Sequence, residues 1–291
     1  MINDAHCHFF STPFFATLGG DGALAQLGWE APGTAEALAD RWVAELDRHR
    51  VSRAALIASV PGDAASVAAA VSRHRRRFVG FFMVDPTQPD AAARASEAIA
   101  GGGLRAICLF PAMHRYSIHD DRAMRIVDVA AATPGTAVFV HCGVLSVGVR
   151  KKLGLPSPFD IRYGNPLDLH AVALSHPLVP MIIPHFGAGL LREALMVADV
   201  CPNVLLDTSS SNGWMKYVGL SLPAVFRQAL AVVGPDRLLF GSDSSFFPRG
   251  WVRDVHEQQS AALDEIGAST DVREKIFGGN FDRLFPPPPQ H

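Results

Sequence analysis

The feature that most constrains this chain is a repeated change of period: eight short apolar, β-branched or aromatic runs alternate with longer segments rich in Ala, Leu, Arg and Glu that carry helical spacing. The runs are Ile2 to Phe9, Arg53 to Val60, Phe78 to Val84, Leu104 to Phe110, Ala137 to His141, Met181 to His185, Val204 to Thr208 and Leu238 to Ser242. Strands that are apolar on both faces are parallel strands covered by helices, because a sheet with one wet face would alternate apolar and polar residues. The helical segments are Thr34 to Arg50, Ala64 to Arg76, Asp90 to Ala100, Asp121 to Ala132, Leu167 to Ser175, Leu190 to Val200, Pro223 to Val233 and Asp254 to Ile266. In the first of them Leu38, Trp42 and Leu46 recur every four residues, so they share the face that packs on the sheet.

Eight such units favour closure into a single (β/α)8 TIM barrel, an α/β fold. An open doubly wound sheet of five or six strands is the alternative, but no GxGxxG follows the first strand to support it. The 291 residues suit one barrel domain spanning 1–291, since such barrels run to about 250 residues before insertions. In the closing segment Asp271 stands three residues before Glu274, as a helix N-cap would, and Gly278 with Gly279 are expected to break that helix. The tail 286–291, PPPPQH, cannot continue a helix and is expected to be extended or frayed.

Composition narrows the function classes. A 48% hydrophobic and 19% charged chain can bury a sizeable core. With a net charge of -2 it carries no broad field to attract nucleic acid. The run Arg73 to Arg77 ends a helix and reads as solvated charge that complements the helix dipole. Cys7, Cys108, Cys142 and Cys201 show no paired metal-finger spacing and read as reduced, mostly buried thiols of a cytoplasmic protein. The start MINDAHCHFF has no signal-peptide pattern, and no stretch of 18 apolar residues predicts a membrane span.

The chemistry gathers at strand ends. Asp4, His6 and His8 stand at spacing two in the first strand, which predicts that all three face one side while Cys7 faces the other. Alone the pair proves little, because 12 His in 291 residues supply about half an HxH by chance. The rest of the pattern adds weight: His141 ends the fifth strand, His185 the sixth, and Asp243 follows the eighth. In a parallel barrel these ends converge on one rim, where barrel enzymes keep their sites.

The combination NDAHCHF, VFVHCG, IIPHFG, LFGSDSS and the ending KIFGGNFDRLF resembles the amidohydrolase-related family of the amidohydrolase superfamily, the branch that contains aminocarboxymuconate-semialdehyde decarboxylase and its hydrolase relatives. The resemblance runs over nearly the whole chain in the right order. It implies His6, His8, His141 and Asp243 as ligands of one divalent metal, with His185 off the metal as the acid/base or polarising group. The fourth strand, LRAICLF, offers no Lys to be carboxylated and no Glu to bridge a second ion. Imidazoles with a carboxylate and an open position suit zinc first, then manganese or iron. Such an ion lowers the pKa of bound water from about 15.7 toward roughly 7, and Asp243 stands ready to take the proton.

Residues expected to meet a small-molecule substrate are Arg150, Arg162 and Tyr163 in the long segment after the fifth strand, and Trp214 and Arg249 farther on. Phe110, Met113, His114 and Asn212 also follow strands and are pocket candidates, whereas Asp85 in VDPTQP is read as setting a turn. Three functions are compatible with these residues: hydrolysis of a C–N or C–O bond in a lactone, amide or similar carbonyl compound; non-hydrolytic decarboxylation of an aromatic or unsaturated acid; and a barrel that binds metal or ligand without catalysis. Homodimers are common among barrels of this kind, so a homodimer is an assembly the resemblance allows.

Overall fold

The computed structural model describes residues 1–210, 213–245 and 249–289. Its strands are β1 (Asn3–Phe9), β2 (Arg53–Ala58), β3 (Phe78–Val84), β4 (Ala106–Leu109), β5 (Ala137–Val140), β6 (Met181–Ile183), β7 (Val204–Asp207), β8 (Leu238–Leu239) and β9 (Ser244–Ser245). Each pairs in parallel with its neighbour in the order β8-β7-β6-β5-β4-β3-β2-β1-β9. The expected eighth strand, Leu238 to Ser242, forms only over β8, and β9 lies just beyond it. β8 pairs with β7 through Leu206 and Leu238, and β9 pairs with β1 through Cys7 and Ser244, so the sheet closes into a barrel. The break between them has a local cause: Asp243 takes a left-handed φ of 58° and the amide of Ser242 bonds the Asp4 carboxylate instead of a strand neighbour.

Eight helices follow the expected ranges to within a few residues: α3 (Ala35–Arg48), α4 (Ala64–Arg73), α5 (Ala91–Gly102), α7 (Asp121–Ala131), α9 (Leu169–Ser175), α10 (Leu191–Val200), α11 (Leu222–Val233) and α12 (Arg253–Glu265). Four short helices were not legible in the pattern: α1 (Thr12–Ala16), α2 (Asp21–Leu27), α6 (Pro111–His114) and α8 (Gly148–Lys152). All four lie in connections that leave the C-terminal ends of strands. The first carries a readable signal, since Ser11 caps it and Pro13 fits its first turn, where no amide is needed. Among the described residues no helix is long and apolar enough to cross a membrane.

The core has two layers, as a barrel requires. Alternate strand residues such as Ile57, Phe81, Cys108, Phe139 and Leu239 fill the interior. Their neighbours, such as Leu56, Phe82, Ile107, Val138 and Leu238, pack outward against the helices, where Leu38, Trp42 and Leu46 of α3 are fully buried. All four cysteines are buried and unbridged. The Arg73 end of α4 is engaged by charge: Arg73 Nε is 2.6 Å from Asp40, which also accepts from His74.

The chain's last helices seal the N-terminal end of the barrel. Phe281 and Phe285 belong to the interior layer. Arg53, the first residue of β2, bonds the Asp282 carboxylate and donates to the Phe285 carbonyl at 2.7 Å. Two expectations for this segment are corrected. The N-cap is Ser269, whose hydroxyl accepts from Val272, rather than Asp271. Gly278 and Gly279 do not end the helix, because α13 (Thr270–Glu274) widens into a π-turn over Lys275–Gly279 and continues as α14 (Asn280–Leu284).

Candidate metal centre and cavity

His6 and His8 leave β1 toward the rim, but Asp4 does not share their face. Between Asp4 and Cys7 the register with β2 shifts by a bulge, so that Ala5 turns inward with His6 while Cys7 packs outward. Asp4 turns to the outer layer, where its carboxylate accepts from the Trp251 indole at 2.7 Å and from the Ser242 amide at 3.0 Å. Strict two-residue alternation cannot foresee this, since a bulge is a one-residue insertion into that period.

The outward nitrogen of each rim imidazole is occupied. His6 Nδ1 donates to Asp207 at the end of β7, at 2.6 Å. His8 Nδ1 lies 2.8 Å from the Ser59 hydroxyl, which itself donates to the Ile57 carbonyl at 3.0 Å. With its proton used there, Ser59 accepts from His8 Nδ1–H. With Nδ1 engaged on each ring, the neutral forms would present bare Nε2 lone pairs, and the two Nε2 atoms face each other at 3.4 Å. Asp243 Oδ1 completes the group, 3.1 Å from His8 Nε2 and 3.7 Å from His6 Nε2. Two imidazole nitrogens and a carboxylate oxygen thus converge, with their ligand atoms within 4.8 Å of one another. Such a donor set fits a divalent cation, and imidazoles held from behind by a carboxylate and a hydroxyl are oriented as metal ligands usually are.

His141 and His185 line the same cavity outside that close group. The His141 ring stacks on Phe110 with centroids 5.4 Å apart, and its buried Nδ1 has no partner among the described residues, which leaves an atom for a cation, water or substrate to satisfy. The His185 ring centroid is 4.9 Å from that of His6. Its Nδ1 is 2.8 Å from the Ser209 hydroxyl, which also lies 2.9 Å from His6 Nδ1. The backbone here is strained: His185, Phe186 and Ala188 take φ of 56°, 49° and 44°, each costing roughly 1–2 kcal/mol relative to a right-handed residue. That turn swings His185 off the line of β6 and over the barrel mouth. Gly143 on the facing loop could not carry a side chain, because a Cβ would stand 2.1 Å from the Gly187 carbonyl.

Protonation follows the surroundings. Burial pushes His141 well down, with His185 and His6 adding to it, and burial likewise pushes His185 down despite Asp243 nearby. Burial also works against protonated His6, but the Asp207 carboxylate outweighs it and the net shift is upward. For Asp243 the raising effect of burial is overcome by His8, His185 and His6, which hold the carboxyl well below its usual range. The cavity therefore holds an anionic oxygen, Asp243, beside the neutral imidazoles of His141 and His185.

The cavity measures about 800 Å³. Of the residues expected to meet substrate, Arg150, Trp214 and Arg249 line it, and so do Phe110 and Met113. Arg162 and Tyr163 do not. The Arg162 guanidinium is 84% exposed and folds back on Asp160 at 2.6 Å, because a charge next to its own N-cap carboxylate satisfies both without reaching the mouth. His114 also stands off the cavity, Asp85 makes the expected turn by accepting from Thr87 at 3.0 Å, and Asn212 lies outside the described residues. Asp207, Ser209 and Ser59 were not singled out by sequence reasoning. The only signal was their position at or just beyond strand ends.

No curated protein sequence matches the chain. Solved structures do match its fold. A 5-carboxyvanillate decarboxylase, LigW, from Sphingomonas paucimobilis is 16% identical with a TM-score of 0.65, covering 98% of both chains. A probable 2-pyrone-4,6-dicarboxylic acid hydrolase from Acinetobacter baumannii, with citric acid bound, is 15% identical with a TM-score of 0.65 and 98% of both chains covered. An amidohydrolase from Burkholderia multivorans with bound zinc is 18% identical with a TM-score of 0.66, covering 99% of this chain and 100% of that one. Residues 4–286 match the amidohydrolase family model, so the chain belongs to the amidohydrolase family.

Proposed function

We propose that the protein is a metal-dependent hydrolase that cleaves a C–N or C–O bond in a small carbonyl compound, with His6, His8, His141 and Asp243 holding one divalent cation. The observation that carries this reading is the convergence of two imidazole nitrogens and a carboxylate oxygen within 4.8 Å, each imidazole held from behind at its Nδ1. The unpartnered Nδ1 of His141 supports it as the remaining ligand. Zinc suits this donor set first, with manganese and iron as alternatives. When bound, the cation supplies Lewis acidity, which acidifies water and polarises a carbonyl oxygen.

The chain's own groups do the rest. Asp243, whose side chain is 27% exposed to the cavity, takes the proton of the attacking water. His185, neutral and held by Ser209, polarises the substrate carbonyl and passes the proton to the leaving atom. Arg249, Arg150 and Trp214 stand where substrate would contact them. Cations recur in the lining, including Arg115, Lys152 and Lys216, while Asp243 is its single acidic member among the described residues. That balance favours a substrate bearing a carboxylate and gives specific support to a second reading, decarboxylation of an aromatic or unsaturated acid. There Asp243 and His185 would relay a proton taken from water to the carbon that loses carbon dioxide.

The test is elemental analysis of the purified protein followed by a metal-dependent screen of lactones and aromatic acids, recording carbon dioxide and hydrolytic product together. Water incorporated into product supports hydrolysis, and carbon dioxide released without it assigns the second reading. A non-catalytic barrel would show turnover with neither, and His185→Ala, which keeps the metal, should lower turnover by about 10²–10⁴-fold.

A further inference from the structure

The segment between β1 and α3 adds to the cavity something a small carbonyl compound would not need. Phe14, Phe15, Leu24 and Val149 form a hydrophobic cluster separate from both barrel layers. The cluster is unfinished on one side: Phe10, Leu18 and Trp29 pack against it only partly buried, and all three line the cavity. Phe10 stacks on Phe14 with centroids 4.0 Å apart and lies 5.7 Å from the ring of His8. A continuous aromatic surface thus starts one ring beyond the candidate metal centre. Val60 after β2 and Val147 after β5 complete its walls.

We propose that this arm binds an aryl or extended alkyl tail of the substrate, remote from the bond that reacts, and that Phe10, Phe14, Leu18 and Trp29 set the preference for it. The inference rests on the reading of the His6–His8–Asp243 end as the reacting centre. The physical argument is one of area and continuity. Phe10 and Trp29 keep apolar surface exposed to the cavity, which costs hydrophobic free energy, and an apolar group covering that surface recovers it. The surface lines the cavity shared with the imidazoles, so the occupant is part of a small molecule that enters that cavity. At about 800 Å³ the cavity stands high in the range of roughly 300–1,000 Å³ typical of drug-sized ligands. At the arm's edge Lys152 Nζ stands 5.8 Å from the Trp29 ring centre, a cation placed to favour a negatively charged molecule as it enters.

The test compares butanoate with 4-phenylbutanoate by calorimetric titration of the metal-loaded protein. A ring buried in the arm should make the phenyl compound bind about tenfold tighter or more. Trp29→Ala and Leu18→Ala should each reduce that ratio to about threefold or less, with butanoate affinity as the control. Because removal of an aromatic loosens the cluster, Val147→Trp provides a converse variant: filling the arm should abolish the phenyl advantage without removing any wall. Equal or undetectable binding of the two acids, or a ratio that survives both Trp29→Ala and Val147→Trp, would overturn the proposal. Chelation separates this result from the reading beneath it. If the reacting end is as described, removing metal weakens both acids alike and keeps their ratio. A phenyl preference that persists while chelation changes neither affinity supports the arm and counts against the metal-centre reading alone.

Discussion

Gly241→Ala tests whether the rim imidazoles are held by packing as tight as the structure indicates. Gly241 has no left-handed φ, so alanine meets no backbone penalty and the effect is steric. The new Cβ would lie 2.6 Å from Asp207 Oδ1, 2.7 Å from Ser209 Cβ and 2.9 Å from His6 Cβ. All three are inside contact distance and belong to buried groups that orient the site, so relief by a single flexible side chain is unavailable. Overpacking of this kind costs about 1–3 kcal/mol. With an unfolding entropy near 2.1 cal/mol/K per residue, a chain of 291 residues changes Tm by about 1.6 °C per kcal/mol, so a fall of roughly 2–5 °C is expected by scanning calorimetry. Displacing Asp207 from His6 should also weaken metal binding about 10–100-fold, the usual cost of disturbing a ligand's supporting partner. The assay is competitive titration against a chromogenic chelator beside the melting curve. A variant that melts within about 1 °C of the parent and keeps its metal affinity would refute the reasoning, since the geometry leaves no unstrained position for the methyl group.

Further predictions follow from other contacts. Asp207→Asn keeps the shape but removes the charge behind His6, and metal affinity measured by titration should fall about 10–100-fold with little change in fold by circular dichroism. Phe281→Ala empties part of the barrel interior far from the mouth, so it should cost about 3–5 kcal/mol, a Tm drop of roughly 5–8 °C, while metal content per folded protein is unchanged. Removing metal with a chelator should lower Tm by about 7 °C when the ion was present at some thousand times its Kd, since such occupancy contributes about 4 kcal/mol. The same chelator added to His6→Ala or His8→Ala should shift Tm far less.

Much of the fold and part of the candidate site were legible in the sequence. Strand and helix periods are local properties, written into runs such as FVGFFMV and the Leu38–Trp42–Leu46 stripe, and eight repeats of the alternation imply a closed parallel barrel. His6, His8 and Asp243 were visible because strand ends in such a barrel must meet. What surrounds them was not. Asp207 sits 201 residues from His6, and nothing in VLLDTSS distinguishes it from an ordinary strand end until the closing of β7 and β8 onto β1 brings it behind the imidazole. The bulge that turns Asp4 outward breaks the two-residue period on which strand reading depends.

The substrate-facing residues show the same divide. Residue type and position after a strand selected Arg150, Trp214 and Arg249 together with Arg162 and Tyr163, but long side chains choose their partners from whatever the fold brings near. Arg162 found Asp160 two residues away and never reached the mouth. The chain's order of residues thus determined which elements form and which chemical groups stand at the rim, because periodicity and spacing are carried along the backbone. Tertiary structure alone decided which nitrogen each imidazole turns inward and where the aromatic arm opens, because tautomer, partner and cavity shape arise only when residues distant in sequence compete for the same space.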